Sequence, residues 1–64
     1  MKYQVVEISE HLININEYDT MEEALTCFKT WIKDAKEYPM LKIKKIYLTI
    51  ENGIAVEWSN EQLN

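Results

Sequence analysis

The chain has 64 residues and a formal net charge of −4, with eleven carboxylates against seven basic residues, every one of them lysine. Arginine is the favoured side chain for bidentate contacts to guanine and phosphate, so sequence-specific nucleic-acid binding is not expected. Cys27 and His11 are the only residues of their types, which excludes an intrachain disulfide and a four-ligand Cys/His zinc site.

The opening Met1-Lys2-Tyr3-Gln4 runs directly into strand-like sequence without an apolar h-region. Neither a secretion signal nor a membrane span is therefore expected, and one free cysteine fits a reducing cytoplasm. Tyr3 to Ile8 is short and β-branched and predicts a strand. Ser9-Glu10-His11 suits a turn. Leu12 to Tyr18 alternates, with Ile13 and Ile15 on one side and Asn14 and Asn16 on the other, as in a half-buried strand. The two segments predict a hairpin that buries Val6, Ile8, Ile13 and Ile15.

Asp19-Thr20 then begins a helix. Thr20 and Glu23 have capping-box spacing, in which the threonine hydroxyl and the glutamate carboxylate each take a free backbone N–H. Asp19, Glu22 and Glu23 sit at the positive end of the helix dipole, and Lys33 and Lys36 at the negative end. Met21, Ala24, Leu25, Phe28, Trp31, Ile32 and Ala35 recur at three- and four-residue steps and form one apolar stripe. Pro39, without an N–H, ends the helix and disfavours helical geometry at Tyr38.

The last part predicts a second hairpin. A two-residue turn at Asn52-Gly53 mixes polar and apolar residues on both faces. A three-residue loop, Glu51-Asn52-Gly53 with Gly53 left-handed in a bulge, pairs Ile50 with Ile54. It then collects Ile46, Leu48, Ile50, Ile54, Val56 and Trp58 on one face, and Tyr47, Thr49, Ala55 and Glu57 on the other. Because a one-residue slip inverts every side chain, the segregated register is the expected one.

The sequence thus predicts one α+β domain over residues 1–64, of order ββαββ: a four-stranded antiparallel sheet with one helix packed on one face. Asn60 to Asn64 is expected to fray. A chain this short buries only about 60% of its unfolded surface, so a second subunit is one route to added stability.

One helix covers one face, and what remains is the candidate for function. The uncovered face is expected to carry Tyr3, Val5, Leu12, Tyr47, Thr49 and Ala55, an apolar surface with aromatics suited to a protein partner or a second copy. The carboxylates Glu7, Glu10, Glu17, Asp19, Glu22 and Glu23, all in the first 23 residues, form a candidate acidic surface, although helix capping already accounts for three of them. Lys42, Lys44 and Lys45 make the one basic cluster, which could touch phosphate with Tyr47 nearby for stacking, so that a small nucleic-acid-binding regulator is the alternative reading; lysines so placed more commonly guard a strand against aggregation. No nucleophile–base–orienter set is visible around His11, and nothing in the sequence near Cys27 activates it. Catalytic residues, cofactor and metal are all expected to be absent. An enzyme or small-molecule site is expected only if a dimer brings copies of His11 or Cys27 together.

Tyr18-Asp19-Thr20-Met21-Glu22-Glu23-Ala24-Leu25 resembles the strand-to-helix junction of HicB-type antitoxins over eight residues. The glycine- and proline-rich strand that precedes that junction in the family is missing, so the resemblance implies capping physics and no membership. The format as a whole (short, acidic, without arginine) is similar to small accessory proteins of phages and mobile elements, some of which inhibit host defence enzymes. The composition also suits coding from an AT-rich genome, such as a low-GC bacterium or its phage. The resulting expectation is a non-enzymatic interaction module in a bacterial cytoplasm, most plainly a homodimer that binds and regulates a host protein.

Overall fold

The structure, a computed structural model, describes residues 2–51 and 53–60. Four strands form one antiparallel sheet: β1 (Tyr3–Ser9), β2 (Ile13–Tyr18), β3 (Ile43–Ile50) and β4 (Gly53–Ser59), in the order β2-β1-β3-β4. The helix α1 (Met21–Glu37) leaves the end of β2 and returns to the start of β3. Each hairpin is local, and the two join through antiparallel pairing of β1 with β3. This is the ββαββ architecture expected from the pattern.

The helix begins and ends for legible reasons. Thr20 is extended (φ −125°, ψ 150°), and its hydroxyl accepts from the Glu23 backbone N–H at 3.2 Å. The return half of the capping box differs from expectation. The Thr20 hydroxyl donates to the Glu23 carboxylate at 2.9 Å, so that carboxylate braces the cap side chain. Tyr38 N–H closes the last turn on Asp34 at 2.8 Å. Pro39 then opens a single 3₁₀ turn, Pro39–Leu41, which ends at Lys42 in the left-handed region (φ 53°). Glu10 N–H donates to Lys42 O at 3.1 Å, and the side chains of the same two residues pair at 3.3 Å. The β1–β2 turn is thereby latched to the entry of β3.

The apolar stripe of α1 packs as its spacing predicts. Ala24, Phe28 and Ala35 are buried against Val5 of β1 and Ile43, Ile46 and Leu48 of β3, with Met21, Leu25, Trp31 and Ile32 half-buried around them. The core thus lies between the helix and the two central strands. The edge strands contribute only their ends, Tyr18 of β2 and Trp58 of β4.

Three features correct the sequence reading. First, the N-terminal hairpin is inverted. Val5 pairs with Leu48 and Tyr3 with Ile50, which places Val5 (0% exposed) and Tyr3 under the helix. Val6, Ile8, Ile13 and Ile15 therefore face away from it, with Ile13 65% and Ile15 56% exposed. Second, the β3–β4 turn is tighter than expected. Ile50 pairs with Gly53 and Thr49 with Ile54, and the register then shifts so that Leu48 meets Val56 and Ile46 meets Trp58. The irregularity thus sits one pair inside the strands. Glu51, not Gly53, takes the positive φ (49°); Asn52 lies outside the described residues. The shift keeps Val56 and Trp58 on the helix side but turns Ile54 to the opposite face, 60% exposed. Third, Asn60 is buried. Its N–H donates to Lys44 O at 2.9 Å and its side-chain amide to Ile43 O at 3.1 Å, pinning the end of β4 to β3. Residues 61–64 of the expected frayed tail lie outside the described residues.

Candidate protein-interaction face

Residues directly opposite one another in neighbouring strands point to the same side of a sheet, so the pairings define the face that α1 leaves bare. Val6 sits at its centre, flanked by Ile15 on β2 and Tyr47 on β3. Ile8 lies between Ile13 and Lys45, and Gln4 between Glu17 and Thr49. On β4, Glu57 stands beside Tyr47, and Ile54 beside Thr49. The result is an aliphatic patch of Val6, Ile8, Ile13 and Ile15 beside one half-buried tyrosine, with Ile54 at the far corner beyond Thr49 and Glu57.

Charge occupies only the margins of this field, in matched pairs. Lys2 reaches Glu17 at 3.4 Å beside the outer end of β1, and Lys45 reaches Glu57 at 3.5 Å across β3 and β4. Both pairs are solvent-exposed, so each contributes little to stability. Their consequence is electrical: the face carries two positive and two negative groups that cancel.

Of the interface residues expected from the sequence, Tyr47 and Thr49 lie on this face. Tyr3 and Val5 lie on the opposite one, Leu12 is exposed in the β1–β2 turn, and Ala55 is exposed at the β4 irregularity. The residues missed are Val6, Ile8, Ile13, Ile15 and Ile54, all assigned to the core because they are aliphatic. A signal for the right phase was present. Tyr18 ends β2 two residues before the helix cap and packs against the core, and it shares its phase with Asn14 and Asn16. Those asparagines accordingly lie on the helix side but beyond the helix's reach, where Asn14 donates to the Glu7 carboxylate at 2.9 Å and Asn16 to the Tyr18 hydroxyl at 3.3 Å.

The six candidate acidic residues do not converge. Glu7 is half-buried on the helix side, Glu10 pairs with Lys42 in the turn, and Glu17 is on the bare face; Asp19, Glu22 and Glu23 surround the helix start. Lys42 beside Glu10 holds that carboxyl below the ordinary glutamate value, chiefly through their hydrogen bond and then through charge. The basic cluster is divided as well, because Lys42 and Lys45 are engaged with Glu10 and Glu57 on different parts of the surface. His11 sits in the β1–β2 turn, whereas Cys27 lies on the second turn of α1 near Tyr18, toward the other end of the sheet.

Tyr18, Glu22, Glu23, Thr26 and Cys27 line an open depression of about 380 Å³. The Cys27 side chain beside Tyr18 raises the phenol above its ordinary value, with burial adding to this and Asn16 opposing it. Among the described residues, no three His, Cys, Asp or Glu side chains gather as metal ligands, and no helix is long and apolar enough to cross a membrane. Comparison with protein-family models, curated proteins and solved structures finds no match.

Proposed function

We propose that this chain is a non-enzymatic protein-interaction module that works through the bare face of its sheet. The observation that carries this reading is the exposure of Ile13, Ile15 and Ile54 on one continuous face with Val6, Ile8 and Tyr47. Antiparallel sheets with one solvated face ordinarily alternate apolar-in with polar-out. Here the outward phase of β2 is isoleucine and the inward phase asparagine, the reverse of what a solvated face favours. A contiguous apolar patch bordered by an aromatic is the composition of an association site. The role we assign to the module, alone or as an assembly of its own copies, is regulation or inhibition of a host protein.

The test compares capture by the wild-type chain with capture by a variant carrying Ile13→Lys and Ile15→Lys. Both side chains are more than half exposed, so the variant is expected to keep its helical circular dichroism. It is also expected to lose whatever protein, another species or a second copy, the wild type retains. An identical set of captured proteins for both chains refutes the face as the binding surface.

A further inference from the structure

We infer that the occupant of the bare face is a second copy of this chain, packed sheet to sheet. The inference rests on the interaction-module reading and names its partner.

Charge selects the occupant. The chain carries a net −4, yet on the bare face the lysines and glutamates cancel as Lys2–Glu17 and Lys45–Glu57. Among the described residues, the other five lysines and eight carboxylates, a net of −3, therefore lie on other surfaces. A face evolved to meet a basic partner would hold unpaired carboxylates at its rim, where they steer encounter. A face meant for an identical, equally acidic chain must instead be neutral, because like charges brought into contact are costly. The second arrangement is the one present.

Size is consistent with the same occupant. Four strands about 4.8 Å apart, each about six residues long at roughly 3.3 Å per residue, give a face near 20 by 20 Å. Covering it on both copies removes on the order of 1,000 Å² of accessible surface or more, where specific interfaces begin. Geometry permits closure. A two-fold axis lying between the sheets and along the strands sets β1 of one copy over β3 of the other, so that Val6, level with Tyr47 across the sheet, meets Tyr47 of the second copy at the centre. Face-to-face sheets at about 10 Å then bury both aliphatic fields in one layer. A chain of this length gains from such a layer the burial that its own core lacks.

The test is solution mass by sedimentation equilibrium across a concentration series, with wild type, Tyr47→Glu and Tyr47→Lys. Tyr47 lies on central strand β3, two strands away from the free edge of β2. The expected result is a wild-type dimer, monomers of half that mass for each variant alone, and recovery of the dimer mass when the two variants are mixed. Recovery on mixing separates interface loss from misfolding. Should Tyr47→Glu lose its helical signal, Ile15→Lys and Ile15→Glu, on the edge strand, take the place of the pair. A dimer indifferent to Tyr47→Glu overturns the inference, since it would signify edge-to-edge pairing. A wild-type monomer that captures a different protein in a Tyr47-dependent way also overturns it, while leaving the interaction-module reading intact. A wild-type monomer that captures nothing through Tyr47 overturns both.

Discussion

The two faces of the sheet are built from similar residues and have opposite fates. Under the helix, Val5, Ile46 and Leu48 are wholly removed from solvent, each gripped by β-strand neighbours and by the Ala24–Phe28–Ala35 ridge of α1. On the far side Val6, Ile8, Ile13, Ile15 and Ile54 form a second set of aliphatic side chains that the helix does not cover. The difference teaches that burial here is decided by which face the helix α1 can reach, and that aliphatic content does not decide it. It also follows that the sheet is stabilised from one side only, while the other side holds hydrophobic surface in reserve.

The sharpest way to break this comparison is to truncate one residue on each face. Leu48→Ala removes a fully buried side chain from the layer between sheet and helix, and such truncations cost about 2–5 kcal/mol. That is comparable to the entire stability expected of a domain this small, so the variant is expected to be largely unfolded at room temperature by circular dichroism. Ile13→Thr, on the bare face, keeps β-branching and loses little buried area. Measured in the Tyr47→Glu background, to remove self-association, it is expected to change stability by no more than about 0.5 kcal/mol. Without that background, its cost is expected to grow with protein concentration, because the face is then covered. Equal costs for the two substitutions in the monomer would refute the division of the sheet into a packed and a bare side.

The helix that makes the division depends on its start. Thr20→Ala removes the hydroxyl that accepts from Glu23 N–H and donates to the Glu23 carboxylate. A lost cap of this kind costs about 1 kcal/mol, read as a lowered denaturation midpoint. Thr20→Asn is expected to restore most of it, since its side-chain carbonyl also caps. Failure of Asn to rescue would mean that the Thr20–Glu23 side-chain bond, and not the N–H cap, carries the effect.

The same division explains what could be read from the sequence. The helix was legible to within a residue or two, because a Thr20 cap, a seven-residue stripe and Pro39 all point to one element. The C-terminal hairpin was legible in its faces except at Ile54, since Leu48, Val56 and Trp58 lie on the helix side as their alternation implies. Its turn was not, because a left-handed residue is expected at glycine, and here Glu51 adopts that conformation. The N-terminal hairpin was inverted for a general reason. β1 offers apolar residues in both phases, Tyr3 and Val5 against Val6 and Ile8, so its pattern is silent. The Ile/Asn alternation of β2 then imposed the assumption that isoleucine faces the core. Strand order defeated that assumption. β2 is an edge strand, and a single helix centred on β1 and β3 does not cover its inward residues. The candidate site was therefore half legible: the existence of a bare apolar face was expected, and Tyr47 and Thr49 were placed on it, while the isoleucines that dominate it were assigned inside.

The smallest effect is expected where contact belongs to neither face. Glu10 and Lys42 meet at the end of the sheet, at 3.3 Å and in solvent, and join the β1–β2 turn to the entry of β3. Lys42 lowers the Glu10 carboxyl below the ordinary value of 4.5, so folding favours its ionised form. The linkage then has a definite sign. The pair's contribution is complete above about pH 4.5 and is lost as pH falls through the lower, folded-state value. Glu10→Gln is therefore expected to melt slightly below wild type near neutrality, with the difference shrinking as pH falls below 4.5 and through the lowered folded-state value. Salt gives an independent check. At about 1 M ionic strength the screening length is roughly 3 Å, and the neutral-pH difference is expected to shrink toward zero. Persistence of the gap at low pH or in high salt would show that the charge on Glu10 does not carry the effect, leaving the backbone bond from Glu10 N–H to Lys42 O, which the substitution keeps, to hold the turn. The latch would then be a structural hinge between the two hairpins and not an ion pair.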